Sequence, residues 1–306
     1  MTQTLIEETC LLCQDVEAIL LIPGSVMPGK VGVLKCPACG LVFLESRCRE
    51  DEIDPEEKAY WDKAEHKEVY LREEVQEIFK KEFEGRLGEM KRSLGRTGKL
   101  LDVGSGIGDF LKTAREQGWE VRGLNISPKA SEAAHEVHGF DVAVGTLEEA
   151  AFREGEFDAV TLWDVIEHIR RPLENLKAAW RMLGPGGILV MKTPDEDSLF
   201  KWMARTAYRF FGKRASFLLK YVYYVPHYFS YSRRSMTELL RQTGFEVITY
   251  QKDETPLEFA VGKIEAHYSK DPKHRIVISL LPWAQGVARL LNRTNKMVVF
   301  ARKVGP

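Results

Sequence analysis

Four cysteines fall into two pairs, Cys10 with Cys13 and Cys36 with Cys39, each split by two residues. Such a gap lets a tight turn aim two thiolates at one tetrahedral ion, and two turns complete a four-sulfur zinc site. Between the pairs, Pro23, Gly24, Pro28, Gly29 and Gly32 suit a short hairpin, and Cys39-Gly40 supplies a flexible turn. A closed four-sulfur site keeps no open position, so this zinc is expected to hold a ribbon together rather than do chemistry. Disulfides or a redox pair are the alternative, which a cytosolic setting disfavours. Cys48 stands alone and reads as an ordinary thiol.

A second stretch, LLDVGSGIGDFL from Leu100 to Leu111, reads as a buried strand, a glycine turn and a helix start. Glycines let the backbone approach a ligand closely, and the helix start offers free N–H groups. The loop runs Gly-x-Gly-x-Gly, with Asp102 inside the strand end. That differs from the Gly-x-Gly-x-x-Gly of dinucleotide sites. With no pyrophosphate to cradle, the loop suits an amino-acid moiety whose ammonium a carboxylate can hold.

Two histidines, His168 and His227, have the near-neutral pKa that suits deprotonating a hydroxyl, while bonding local backbone is the plainer role for each. Asp164, Glu167 and His168 sit at i, i+3 and i+4, so one helical turn would face all three the same way. Such a set could hold a divalent ion that polarises a hydroxyl, although acids at a helix start are also expected on dipole grounds.

The elements that position these groups follow from periodicity. Within the charged segment 47–96, Val69, Val75, Ile78, Phe79, Phe83, Leu87 and Met90 recur at three- and four-residue steps, predicting a long amphipathic helix ended by Gly95-Arg96-Thr97-Gly98. From Lys99 onward, short apolar runs at 100–103, 120–124, 141–144, 159–162 and 188–193 alternate with helical stretches. That alternation predicts right-handed crossovers and a parallel sheet. Segments 245–250 and 297–303 read as two further strands, a late hairpin on the sheet edge. The fold class expected is therefore α/β: a Rossmann-like, doubly wound, mostly parallel seven-stranded sheet with an antiparallel edge hairpin, plus a small N-terminal zinc ribbon. The chain divides into a ribbon at 1–50, a helical linker and cap at 51–98, and a main domain at 99–306.

Composition narrows the function. The 44 Lys and Arg nearly cancel 45 Asp and Glu, a net charge of −1, so a general polyanion binder is excluded and any such affinity needs a local patch. The longest apolar run, at 276–284, is about half of what a spanning helix requires. The first residues carry no basic stretch leading into an apolar core, so no secretory signal is read and a cytoplasmic protein is expected.

The segment at 100–111 resembles motif I of class I S-adenosylmethionine (SAM)-dependent methyltransferases. Further stretches match in order between 99 and 247: VRGLNISPKA, VGTLEEA, FDAVTLWDVIEHIRRP, LGPGGILVMKTP and PHYFSYSRRSMTELLRQTGFEV. They resemble the branch holding the ubiquinone-biosynthesis O-methyltransferases and the zinc-ribbon sugar methyltransferases. The resemblance implies that Asp102, Gly104, Ser105, Gly106 and Gly108 wall the methionine portion of SAM. It places Ile126 and Leu147 around the adenine, and Trp163 and Asp164 at the floor of the site. It puts Asn125 where the family usually has an acid gripping both ribose hydroxyls. The amide is a weaker acceptor than a carboxylate, a difference of ~1–2 kcal/mol in cofactor affinity. Thr146, after Gly145, stands where another acid is common.

Between 198 and 237 there are eight Lys or Arg and no acid. Lys201, Arg205, Arg209 and Lys213 form a four-residue stripe, beside an apolar face of Leu199, Trp202, Met203, Ala207 and Phe210. Phe217, Leu218, Leu219, Tyr221, Val222, Tyr223 and Tyr224 continue the apolar theme. This lid, 198–231, reads as packing on the sheet with a solvated basic face, as a membrane-surface or lipid-capping element through 198–224, or as a stacking surface for single-stranded RNA. The function expected is methyl transfer from SAM to a small-molecule acceptor, at a hydroxyl of a sugar, a lipid-linked glycan or a quinone-like phenol. His227, in the lid, and His168 are the candidate bases. The protein is expected in the cytoplasm, with peripheral contact at the inner membrane face. An RNA base methyltransferase is the alternative enzyme; the neutral charge, and Leu162-Trp163-Asp164-Val165 where an Asn/Asp-Pro-Pro-Tyr-like tetrapeptide would stand, oppose it and make nucleic acid an unfavoured partner. A non-catalytic binding protein on a methyltransferase frame is the third reading, motivated by Asn125 and Thr146.

Overall fold

The computed structural model describes residues 5–14, 16–27, 30–45, 73–223, 227–268 and 273–305. Cys48, Tyr224 and all of residues 51–72, Val69 included, lie outside them. The N-terminal part holds strands β1 (Leu5–Thr9), β2 (Glu17–Ile22), β3 (Val33–Lys35) and β4 (Val42–Leu44). Each pairs antiparallel with the next. The amphipathic helix expected in the linker is α1 (Glu73–Leu94), whose Val75, Leu87 and Met90 are buried.

Then comes the alternation: β5 (Lys99–Val103), α2 (Asp109–Glu116), β6 (Glu120–Asn125), α3 (Pro128–His138), β7 (Ala143–Val144), β8 (Phe157–Trp163), α4 (Pro172–Met182) and β9 (Leu183–Pro194). The lid follows as α5 (Leu199–Phe211), two 3-10 turns and a short strand β10 (Phe229–Ser230). The chain finishes with α6 (Arg233–Gln242), β11 (Phe245–Asp253), α7 (Leu257–Tyr268), α8 (His274–Leu290) and β12 (Lys296–Lys303).

Seven strands form the main sheet in the order β11-β12-β9-β8-β5-β6-β7. The five strands from β9 to β7 run parallel, and β12 is antiparallel to both β9 and β11. The late pair is therefore antiparallel at the edge, but two helices separate its strands in sequence and β12 lies inside β11. Residues along β9 alternate between two cores: Ile188 and Val190 join Leu87, Met90, Leu100, Val298 and Phe300 on the α1 side, while Leu189 and Met191 face Leu176, Met236 and Leu239. Burial on both faces explains the unbroken apolar run there, each side chain contributing ~1.5–3 kcal/mol.

One connection was not legible beforehand. β10, from the lid, pairs antiparallel with β4 as Phe229 with Phe43 and Ser230 with Val42, which completes a five-stranded sheet. The Leu44 N–H also donates to the Tyr228 carbonyl at 3.0 Å. The ribbon is thus joined by backbone hydrogen bonds to the residue after His227.

Candidate active site

At the end of β5 the chain turns through Gly104, Gly106 and Gly108, all with positive φ. At Gly104 (φ 72°) a Cβ would sit 2.4 Å from a Val165 methyl, so the loop after β8 packs directly on the glycine turn. At Gly106 (φ 55°) a Cβ would meet nothing within 4 Å, so the turn borders open space there. Asp102 beneath it is buried and accepts the Thr161 hydroxyl at 2.7 Å. Burial lifts its carboxyl to about 7, against the opposing pull of that hydrogen bond. The buried Ser105 hydroxyl has no hydrogen-bond partner among the described residues. An open cradle, an unsatisfied hydroxyl and a carboxyl that gains from a nearby cation fit a bound aminoacyl nucleoside.

Asn125 ends β6, and its amide oxygen accepts the Ser127 N–H at 3.1 Å. That bond leaves the NH2 as the group available to a ribose, the reverse of an acidic residue's role. Ile126 is half-buried. Leu147 differs from expectation: it is 1% exposed, within the core shared by Val103 and Leu124 rather than open across from Ile126. The cause is local, because Glu149 accepts both the N–H and the hydroxyl of Thr146 at 3.1 and 2.9 Å and turns the segment inward. Trp163 packs edge-on to Phe110, 5.0 Å between centroids, and also against Phe83 of α1.

Asp164 adopts φ 56°, a left-handed conformation that is costly for a residue with a Cβ. Its N–H bonds the Lys192 carbonyl, and its carboxylate pairs with Lys296 on β12. Burial opposes ionisation here, but Lys296 and Lys192 outweigh it and hold the carboxyl below its usual range. The expected trio of Asp164, Glu167 and His168 is consequently not assembled. A 3-10 turn, Ile166–His168, replaces the α-helical turn that would have aligned the side chains.

His227 takes the third place. Ligand atoms of Glu167, His168 and His227 all lie within 4.8 Å of one another, and the two imidazoles meet edge to face at 4.7 Å. Glu167 is 0% exposed; one carboxyl oxygen accepts the Thr193 hydroxyl at 2.9 Å and the other has no hydrogen-bond partner among the described residues. Burial first, then the nearby Asp164, raises its carboxyl to about 7. Burial, then His168 and the surrounding lysines, push His227 well below the ordinary histidine range, which keeps it neutral. Arg170, just past the turn, donates to the Tyr228 hydroxyl at 2.9 Å and so ties the lid strand to this loop.

A model of the methyltransferase-domain family matches residues 56–250, more than half of the chain. The chain belongs to that family. A ubiquinone biosynthesis O-methyltransferase from Aromatoleum aromaticum is 32% identical over 171 residues, 53% of this chain and 70% of the relative. One from Xanthomonas oryzae pv. oryzae is 33% identical over 102 residues, 31% of this chain and 42% of that protein. A structure from Galdieria sulphuraria, provisionally described as a sarcosine dimethylglycine methyltransferase, superposes with TM-score 0.51 at 17% identity, covering 75% of this chain and 87% of its own. A provisionally assigned methyltransferase from Bacillus halodurans C-125 gives TM-score 0.51 at 15% identity, over 72% and 99% of the two chains. The protein is a SAM-dependent methyltransferase of class I, and these superpositions speak for its fold.

In this methyltransferase the four paired cysteines converge, their sulfurs within 4.8 Å of one another, with Cys10 and Cys39 at 3.6 Å. Each pair sits on a tight turn closed by a backbone bond, Gln14 N–H to the Cys10 carbonyl and Gly40 N–H to the Cys36 carbonyl. The Cys39 thiol lowers Cys10 to about 5 against the effect of burial, so the cluster already favours a thiolate. The methyltransferase lid departs in part from its expected polarity, with Arg209 and Lys213 exposed but the other two stripe cations turned inward. Lys201 is buried against Glu196 and Ser230, and Arg205 pairs with Glu196 and, at 2.6 Å, with the Tyr223 hydroxyl. Sequence reading had no signal for Glu196, whose burial draws two of the four stripe cations inward and leaves Trp202, Phe210 and Phe211 facing out.

Proposed function

We propose that this methyltransferase acts on a hydroxyl of a small apolar or lipid-linked acceptor, a quinone-like phenol or a sugar. The observation that carries the reading is a neutral His227 held against His168 and Glu167, on the loop whose Val165 packs on Gly104. The names of the O-methyltransferase relatives support oxygen as the target atom. An apolar acceptor suits a peripheral position at the inner membrane face, with contact through 198–224.

Asp102, Gly104, Ser105, Gly106 and Gly108 would hold the aminoacyl end of SAM, with Asp102 facing its ammonium. Asn125 and Ile126 would hold the nucleoside, Leu147 would back that wall, and Trp163 and Asp164 would close the floor. When bound, SAM supplies a methyl group already activated on a sulfonium. What remains for the protein is alignment, exclusion of water and removal of one proton. His227 would accept the acceptor's hydroxyl proton, and Glu167, with a carboxyl near 7, would stabilise the imidazolium so formed. His168 orients the His227 ring by edge-to-face contact. Cys10, Cys13, Cys36 and Cys39 would bind a structural zinc.

A second reading of the same trio has its own support. Two imidazoles and a carboxylate with an unbonded buried oxygen are a donor set suited to a divalent cation. The test is mass spectrometry of cell extracts incubated with the protein and isotopically labelled methyl-SAM. Label on a hydroxyl-derived methoxy group supports the proposal, and label confined to nitrogen, or to RNA bases, overturns it. Activity that survives complete chelation while the four-cysteine metal is retained removes the metal reading.

A further inference from the structure

We propose that the outer face formed by α8 and α5 docks on an anionic lipid bilayer. This extends the reading of the acceptor as apolar, yet it is tested without cofactor or acceptor. On α8, Ile276, Leu280, Trp283 and Leu290 recur at helical spacing along one side, and Trp283 and Leu290 are 66% and 87% exposed. The opposite side, Ala284, Gln285 and Ala288, is buried against the domain. The helix therefore packs through Ala284, Gln285 and Ala288, with Val277, Ile278 and Leu281 half-buried, and still turns a second row of large apolar side chains outward, which an ordinary surface helix does not.

α5 lies alongside and adds to the same face. Arg293, just past the end of α8, sits 5.8 Å from the Trp202 ring, and its carbonyl accepts the Leu199 N–H at 2.9 Å. At the other end Lys273, which caps α8, lies 4.5 Å over the Phe217 ring in the lid. The helices thus run side by side in opposite senses. α5 contributes Trp202 and Phe210, 48% and 75% exposed.

Charge selects the occupant. Segments 198–237 and 273–306 hold fifteen Lys or Arg and no acid, leaving 29 basic against 45 acidic residues elsewhere. Of the fifteen, Arg209, Lys213, Arg214, Lys273 and Arg275 are exposed on or beside the two helices. Arg289, also on α8, is paired with Glu254, so it is the other five cations that border the apolar stripe and complement an anionic headgroup layer above acyl chains. Among the described residues no helix is long and apolar enough to cross a membrane, so the face lies on the surface rather than spanning.

Flotation with phosphatidylcholine vesicles, with and without about 30% phosphatidylglycerol, tests this. The intact protein should float with the anionic vesicles, less so as salt rises, and remain behind with neutral ones. The double variant Leu280→Ser, Trp283→Ser changes two exposed side chains and should keep its melting temperature while binding ~100-fold more weakly. Failure of the intact protein to float, or unchanged flotation of the variant, overturns the proposal. So does a concentration-dependent dimer by light scattering that the same variant abolishes without any effect of vesicles, since the face would then meet a second copy.

Discussion

The imidazole of His227 stands edge-on to that of His168, centroids 4.7 Å apart and planes at 87°. One ring comes from the loop after β8 and the other from the end of the lid, so the pair exists only while the lid strand is docked. His227→Ala should slow single-turnover methyl transfer by ~10²–10⁴-fold while SAM affinity by titration calorimetry stays the same. A near-normal rate would remove His227 from the chemistry.

Asp102 should make cofactor binding depend on pH. Its carboxyl is protonated below about 7 in the free protein, whereas the ammonium of SAM favours the carboxylate. Binding then releases a proton, and affinity climbs from pH 5 toward 7 by at most ~10-fold per unit before levelling. Asp102→Asn, near in shape but unable to ionise, should bind more weakly and flatten that slope. Calorimetry in two buffers of different ionisation enthalpy reads the proton directly.

Asn125 presents its NH2, because its oxygen is committed to Ser127. Asn125→Asp can keep that bond through one oxygen and offer the other to a ribose hydroxyl. SAM should bind several-fold to thirty-fold more tightly, the ~1–2 kcal/mol difference between amide and carboxylate acceptors. An unchanged or weakened dissociation constant would show that the ribose does not meet this residue.

Glu196 anchors the lid. Its replacement by Ala leaves Lys201 buried without its counter-charge, a loss of ~3–5 kcal/mol. The urea midpoint should fall accordingly. Arg209→Ala, an exposed change on the same helix, should move it by less than ~0.5 kcal/mol.

The cysteine cluster and the active site should prove mechanically linked through β4 and β10. Cys36→Ser with Cys39→Ser is expected to abolish bound zinc by elemental analysis. The same variant should speed hydrogen exchange at Phe229, whose strand pairs with β4. Full zinc occupancy in that variant would contradict the four-sulfur assignment.

Much of this molecule was readable from spacing. The alternation of apolar runs gave the parallel strands because a strand buried on both faces must be continuously apolar, as β9 is. Leu147 shows the limit: the family resemblance implied a place beside the adenine, yet beyond the Thr146–Glu149 turn it lies in the core. The lid stripe misled similarly, since helical spacing says which residues share a side but not which side faces the protein.

Local chemistry written in the chain therefore determined the glycine turn, the paired cysteines and the family, because backbone freedom and ligand spacing act over a few residues. Tertiary structure decided the partners. Asp164 goes to Lys296, 132 residues away, and Lys192 reaches Glu82 across 110; His227 replaces Asp164 beside Glu167 and His168. A buried charge such as Lys192 settles on whichever opposite group the fold brings within reach, since leaving it unpaired costs several kcal/mol. The half-buried Asp164 meets the Lys296 that β12 lays alongside it. No local pattern encodes that choice.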